Sequence, residues 1–501
     1  MIQISIGDEI AYFRFMSRAL IIGAGIAGIA SAIRLALKGH QVEVFEASEH
    51  PGGKLSEIKL GPFRFDAGPS LFTMPQYVDE LFLLAGKNPH DYFQYQKLET
   101  ICNYFYEDGT RIHAFADPLK FAQEIENKTT DSANSVIAYL NKSREIYEIT
   151  NPVFLQRSLH KFRSYLNWET LNSVFQFPKI DPFRSMNQAN ENRFKDSRTV
   201  RLFNRYATYN GSNPYKAPAT LNIIPHFEQH FGAYFPLGGM YAIVSSLYNL
   251  AIGLGVKFHF NSYVDEIELK NNKPVNLHCR GKSYAADLII SNMDVWYTYS
   301  RLLKGLKVPE RLKKQERSSS ALIFYWGIEA AFPELELHNI FFTEDYKEEF
   351  REIWEKKSIG SDPTVYVHIS SKNNPQDAPK GSENWFTMVN VPSDTGQNWD
   401  SLIKSSRSAI IEKLSRNLGR DISKLIRFES VLDPRSIDSR TFSYQGSLYG
   451  SSSNNPFSAF LRHANFSSGI KDLYFVGGSV HPGGGIPLAL LSAKIVDDLI
   501  K

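Results

Sequence analysis

The sequence predicts an α/β protein in which a parallel-sheet nucleotide-binding domain is joined to an antiparallel-sheet domain that carries a helical part. Three stretches predict it. Arg18 to Glu46 reads as strand, tight turn, helix and second strand. From about Tyr92 the chain turns to aromatic-rich alternation, and Tyr104, Phe105 and Tyr106 lead into Glu107-Asp108-Gly109-Thr110 and another apolar run, the pattern of a hairpin in an antiparallel sheet. Asp117 to Thr150 reads as helical. With 501 residues, of which 43% are hydrophobic, two or three structural units are expected, with the chain passing between them more than once.

The first unit is the most fully specified. Ala19 to Ile22 form an apolar run that stops at Gly23, and Gly23, Gly25 and Gly28 stand at G-x-G-x-x-G spacing on the strand-to-helix turn. The first glycine permits the turn, the second lets the backbone approach a pyrophosphate, and the third lets the helix pack closely on the strand. Ile26, Ile29, Ile33 and Leu37 share one helical face, Gly39 suits the C-terminal cap, and Gln41 to Phe45 alternate as a strand. Glu46 closes that strand, where a carboxylate can accept hydrogen bonds from both hydroxyls of an adenosine ribose while the pyrophosphate sits over the helix N-terminus. The combination favours a cofactor without a 2′-phosphate.

Composition excludes several classes. A net charge of +3, without a basic arm or an interleaved aromatic-basic motif, gives no argument for nucleic acid. Cys102 and Cys279 form no metal or redox spacing, which fits a reducing compartment. The most apolar window, Ala19 to Leu37, contains Arg34 and belongs to the nucleotide unit, so no transmembrane helix is predicted. The first fifteen residues carry Asp8 and Glu9, have no basic n-region and do not read as a signal peptide. Met16 immediately precedes the first strand and is expected to be the physiological start.

Pro51-Gly52-Gly53-Lys54-Leu55 follows Glu46, placing two glycines and a cation where the far side of the cofactor's phosphates would lie. Gly61 to Ser70 reads as a strand ending in a second glycine turn, Gly68-Pro69-Ser70. Together these segments resemble the FAD-binding half of the glutathione-reductase-like flavoproteins, in the branch that holds amine oxidases, carotenoid desaturases and Rab GDP-dissociation inhibitors. The fold implied is a Rossmann-type FAD-binding domain with a separate substrate domain.

Val153 to Met186 mixes Phe, Leu, Tyr and Trp168 with Arg157, His160, Lys161, Arg163, Lys179 and Arg184; it could lie in a membrane interface or pack as a helical pair on its own domain. Val200 to Tyr241 is the most distinctive stretch, with Arg205-Tyr206-Ala207-Thr208-Tyr209-Asn210-Gly211, Ala217-Pro218-Ala219-Thr220 and Phe235-Pro236-Leu237-Gly238-Gly239-Met240. It resembles the carotenoid desaturases, and within them the subgroup that desaturates the 3,4-position of 1-hydroxy or 1-methoxy carotenoid ends. His226, Glu228 and His230 could face substrate, although histidines between aromatics are more often satisfied structural residues.

Gly239 begins a helical pattern, and Val256 to Phe260 with Val264 to Leu269 read as strands of the first domain. The resemblance implies that Val264 lends backbone hydrogen bonds to the adenine and that the strand leading to Asn292 ends beneath the cofactor. Ser320 to Trp326, Thr364 to Ile369 and Asn384 to Asn390 read as strands of the second domain, Leu402 to Leu418 as a helix, and Lys347 to Lys357 as a solvated helical face. Gly446 to Gly450 and Asn454 to Phe457 match the desaturase pattern as well. Leu473 to Val476 is a strand, followed by Gly477-Gly478-Ser479-Val480-His481-Pro482-Gly483-Gly484-Gly485-Ile486-Pro487 and a final helix. Glycines there let backbone approach a flat ring, and a helix N-terminus at Ile486 and Pro487 would favour negative charge on a reduced flavin. The expected division is 16–85, 236–300 and 465–501 for the FAD domain and 86–235 and 301–464 for the substrate domain, with a helical, membrane-facing segment at about 117–190.

The resemblance implies an FAD-dependent oxidoreductase of carotenoid biosynthesis, in which flavin N5 takes a hydride from an allylic carbon and the neighbouring carbon loses a proton. No triad, carboxylate pair or metal set is seen, and Tyr209, His226 and His230 are the candidates for the proton beside solvent. The substrate would come from the lipid phase, so a cytoplasmic protein bound peripherally to the membrane surface is expected, passing electrons to oxygen or a quinone. A phytoene desaturase, a carotenoid isomerase or a retinoid saturase of the same family is the alternative; a GDP-dissociation-inhibitor-like prenyl-protein chaperone shares the fold but has no use for a glycine-rich flavin cradle at Gly477 to Pro487.

Overall fold

The computed structural model describes residues 17–161, 176–455 and 462–500. The expectation for Met16, and those for Arg163, Trp168, Pro456 and Phe457, lie outside the described residues.

Five parallel strands form the first sheet: β1 (Arg18–Ile22), β2 (Gln41–Phe45), β3 (Lys257–His259), β4 (Leu288–Ser291) and β5 (Leu473–Phe475), in spatial order β3-β2-β1-β4-β5. The pleat sorts the side chains of β1. Ala19 and Ile21 face a helical layer made by α1 (Ile26–Leu37), α2 (Tyr241–Gly253) and α3 (Ile486–Leu499), where Ile29, Ile33, Ile243, Leu247 and Leu490 are buried with them. Leu20 and Ile22 face the other way, onto an antiparallel three-stranded layer over Val264–Lys270, Lys273–Cys279 and Lys282–Ala285. Each buried Leu or Ile contributes ~1.5–3 kcal/mol by leaving water. The strand order reverses between β1 and β4. In open α/β sheets such a reversal leaves a crevice beyond the carboxyl ends of the strands, and ligands bind there.

The second sheet has seven strands, in the order Ile426–Leu432, Ser320–Ile328, Glu383–Val391, Val365–His368, His338–Phe341, Thr100–Phe105 and Arg111–Phe115. It is antiparallel except where His338–Phe341 pairs parallel with Thr100–Phe105. This departs from a wholly antiparallel domain because no hairpin joins those two strands. Along Ser320–Ile328, Leu322, Phe324, Trp326 and Ile328 pack with residues of the Trp399–Leu418 helix, while Ala321, Ile323 and Tyr325 face a cavity. The Asp117 to Thr150 region forms two helices, Pro118–Lys128 and Ala133–Thr150, capped by Asp117 and Ser132. A small sheet of Phe72–Thr73, Ala233–Pro236 and Tyr95–Lys97, too short and scattered to be read from sequence, joins segments about 140 to 160 residues apart within the first half of the chain.

Candidate functional site

The glycine turn lies at the switch point. Gly23 has φ +93°, in the left-handed region, and its N–H donates to the Phe45 carbonyl (2.8 Å), which locks the turn to β2. A methyl group on Gly28 would sit 2.1 Å from the Gly23 carbonyl, and one on Gly25 would sit 2.5 Å from Asn292 Nδ2. Asn292 follows β4 directly, and its Nδ2 donates to the Gly23 carbonyl at 3.5 Å. The Glu46 carboxylate ends β2, with Oε2 accepting from the Ala24 N–H (2.7 Å) and Oε1 from the Ser48 N–H and hydroxyl (2.9 and 2.8 Å).

The next turns pack onto that unit. Gly52 donates to the Ala24 carbonyl (2.8 Å), and Gly53 has φ +58°. Lys54 Nζ donates to the carbonyls of Leu448 (2.7 Å) and Ser447 (3.2 Å), so the cation points inward and ties the first third of the chain to the last. Burial pushes its ammonium down to about 8, against the opposing pull of Asp294. A methyl group on Gly68 would meet the Lys54 carbonyl at 1.8 Å, so these two turns are in backbone contact.

The chain's end closes the same space. Gly477 donates to Ser492 Oγ (2.8 Å), and a methyl group on it would lie 2.8 Å from Asn292 Oδ1. Ser479 Oγ accepts from the Val295 N–H (3.1 Å), and a methyl group on Gly450 would strike the Ser479 Cα at 2.8 Å. Gly485, at φ +103°, starts α3, with Ile486 and Pro487 as its first residues.

These walls enclose a cavity of about 1630 Å³, above the ~300–1,000 Å³ of ordinary small-molecule sites. The structure brings together around it Gly23, Gly25, Glu46, Gly53, Lys54 and Leu55, then Gly68, Pro69, Ser70, Val264 and Asn292, and finally Gly478, Ser479, Gly485, Ile486 and Pro487. Gly28 alone of the expected set packs behind the turn. The cavity continues past them along the second sheet between apolar residues that include Ile101, Ile223, Ile323, Ile340, Phe386 and Met388.

The three proton candidates are placed otherwise. His226 and His230 are absent from the cavity wall: their rings stack on each other (centroids 4.5 Å apart), and His226 also packs on Tyr147. Burial, then His230, pushes His226 down to about 4. Tyr209 lines the cavity, but its hydroxyl donates to Glu228, which also accepts from Tyr206 (2.7 Å). Arg205 completes this knot, donating to Tyr209 (2.8 Å) and Tyr104 (2.6 Å). Burial raises the Tyr209 phenol well above its ordinary pKa, Arg205 opposing and Glu228 adding to it, so Tyr209 is a donor and not a base. Two cavity residues had no motif to mark them. Tyr366 bridges Ser70 Oγ and His338 Nδ1, each at 2.7 Å.

A parallel sheet with a topological switch point, a glycine turn at that point and a second glycine wall at a helix N-terminus define a dinucleotide-binding protein. The chain matches the family described as flavin containing amine oxidoreductase over residues 26–496, and it belongs to that family; its cofactor is FAD. It is 50% identical over 485 residues, 97% of this chain and 99% of the other, to a 1-hydroxycarotenoid 3,4-desaturase from Flavobacterium sp.. It is 32% identical over 494 residues, 96% and 98% of the two chains, to a 4,4'-diapolycopene oxygenase from Methylomonas sp.. The crystal structure of an oxidoreductase from Methanosarcina mazei shares the fold, with a TM-score of 0.66 at 16% identity, covering 97% of this chain and 100% of that one.

Proposed function

We propose that this protein is a carotenoid desaturase that introduces the 3,4 double bond beside a 1-hydroxylated end. The observation that carries this reading is the 50% identity, over nearly the full length of both chains, to the Flavobacterium protein of that name. The apolar extension of the cavity supports it, since a long hydrocarbon needs a wall of side chains such as Ile223, Ile323 and Phe386.

The residues present fit FAD: Gly23, Gly25, Gly53, Gly68, Gly478 and Gly485 line one continuous cavity with the Glu46 carboxylate and Lys54, and a methyl group on Gly485 would meet no protein atom within 4 Å. Gly23, Gly25 and Gly28 with the start of α1 would take the pyrophosphate, Glu46 the adenosine ribose, and Val264 the adenine. Gly53, Lys54, Leu55, Gly68, Pro69 and Ser70 would hold the middle of the cofactor, and Asn292, Gly478, Ser479, Gly485, Ile486 and Pro487 its ring. The flavin supplies the two-electron oxidant when bound. The chain's own share is placement: the partial positive charge at the start of α3 favours negative charge nearby, and the apolar wall fixes the polyene. Of Tyr209, His226 and His230, none is placed to take the proton, so we assign that proton to solvent.

Among the described residues no helix is long and apolar enough to cross a membrane. Peripheral attachment to the cytoplasmic membrane surface belongs to the proposal, as the route by which a lipid-phase substrate would reach the cavity. Oxygen or a membrane quinone would be the final acceptor. The reading is tested by incubating the FAD-loaded protein with a 1-hydroxylated carotenoid in liposomes and analysing the pigment by mass. A product lighter by two hydrogens is expected, and an isomer of unchanged mass would point to isomerisation instead.

A further inference from the structure

The cavity wall holds a polar chain that runs from the edge of the cofactor cradle, at Ser70, onto the second sheet. His338 and Tyr366 stand on neighbouring strands of the seven-stranded sheet, and the register that pairs His338 with His368 and Ile340 with Tyr366 puts all four on one face. His338, Ile340 and Tyr366 line the cavity. From there Tyr366 reaches across to Ser70, on the turn that touches Lys54. We propose, resting on the desaturase reading above, that the chain Ser70–Tyr366–His338 recognises the terminal hydroxyl of the carotenoid, with Ser70 Oγ making the contact.

Hydrogen-bond accounting supports it. The Tyr366 oxygen is bonded on both sides, whereas Ser70 Oγ has Tyr366 as its one side-chain partner and keeps capacity for another bond, since a serine hydroxyl offers one donor and two lone pairs. His338 is 3% exposed, its ring is stacked on His368 (5.0 Å), and its Nε2 has no hydrogen-bond partner among the described residues. Burial, with His368 and then Arg205 beside it, holds this imidazole well below its ordinary pKa. A neutral imidazole has one N–H and one lone pair, so the chain can run in either proton order. In one order Ser70 accepts from the ligand and in the other it donates. A ligand hydroxyl, which does both, satisfies either, and a bare hydrocarbon end satisfies neither.

Position argues the same way. A hydroxyl on C1 is separated from the 3,4 bond by C–C bonds of about 1.5 Å each, so whatever reads it must lie beside the reacting carbons. Ser70 ends the turn assigned to the cofactor and is bonded to Tyr366 on the apolar part of the cavity wall, so it stands where the cofactor cradle meets the substrate wall. The Arg205 knot is another polar group on the wall, but Tyr104, Tyr209 and Glu228 already engage its outer nitrogens and hydroxyls. His338 is therefore a positioning residue, acting through Tyr366.

The test compares two carotenoids that differ only in the 1-hydroxyl, using anaerobic flavin reduction in the FAD-loaded protein. In the wild type the limiting rate of flavin reduction divided by the apparent Kd favours the hydroxylated one. In Tyr366→Phe that preference falls about tenfold, the worth of one hydrogen bond, and the loss lies in Kd. His338→Gln, which keeps Tyr366, lowers the preference in the same direction and serves if Tyr366→Phe does not fold. An unchanged preference in the variant that folds, or its loss in Tyr209→Phe instead, overturns the recognition chain. A wild type that uses both carotenoids equally overturns the chain and leaves desaturation standing, whereas one that is reduced by neither overturns the desaturase reading itself.

Discussion

Gly25 and Gly28 belong to one motif and are constrained by different things. A methyl group at Gly28 meets a backbone carbonyl at 2.1 Å and has nowhere to go, while at Gly25 it meets the end of the Asn292 side chain at 2.5 Å, which can turn aside. Gly28→Ala is accordingly expected to destabilise the fold by ~1–3 kcal/mol and to lose FAD on gel filtration, with Gly25→Ala closer to wild type in stability; equal melting points would contradict this. Lys54 gives a pH prediction. In the free protein its ammonium titrates at about 8, and the anionic cofactor favours the charged form. FAD affinity should therefore be constant below that value and fall as pH rises through it, because above it binding must take up a proton. Fluorescence titrations between pH 6.5 and 9.5 test this against Lys54→Met, which should be flat; a flat wild type would sink the idea. Sterically forced residues such as these are legible in a sequence because their constraint is local. The Ser70 to Tyr366 contact is not, since its partners stand 296 positions apart and no spacing rule links them.

At the scale of elements, periodicity carried most of the information. The helix expected from Leu402 runs from Trp399 to Leu418, beginning earlier because the Asn398 side chain accepts from the Ser401 N–H, and it ends where Gly419 takes φ +63°. Its buried face, Trp399, Ile410 and Leu414, covers the side of the seven-stranded sheet away from the cavity. Leu414→Ala should cost ~2–5 kcal/mol in chemical denaturation and leave FAD affinity unchanged, and a parallel loss of FAD binding would show that the sheet's two faces are not independent. The parallel pairing of His338–Phe341 with Thr100–Phe105 escaped the sequence for a physical reason. Register between strands so far apart is set by packing across the sheet and not by a turn. The histidines at 226 and 230 show the converse, since a suggestive local pattern turns out to be a stacked pair away from the cavity.

The whole molecule holds several histidines where a charge is unwelcome. His368 and His481 are nearly fully buried, and burial pushes each down to about 4 from an ordinary 6.5. The unfolded chain binds protons at these positions near 6.5 while the folded chain does not until near 4, so their contribution to stability is complete above 6.5 and is lost as pH falls towards 4. The melting temperature should drop across that window at constant ionic strength, and a constant or rising one would contradict the buried, neutral state. The fold class was legible because the glycine turn, the ribose acid and the terminal glycine run each occupy one short stretch. How the cavity joins them to the second sheet depends on strands from both ends of the chain, which only the folded molecule brings together. The central claim, that this cavity couples FAD to carotenoid oxidation, is tested most directly by one anaerobic turnover of the FAD-loaded protein with a 1-hydroxylated carotenoid, following flavin and polyene absorbance together. Bleaching of one flavin for each polyene shifted to longer wavelength is the predicted result; a polyene change with the flavin still oxidised would contradict it.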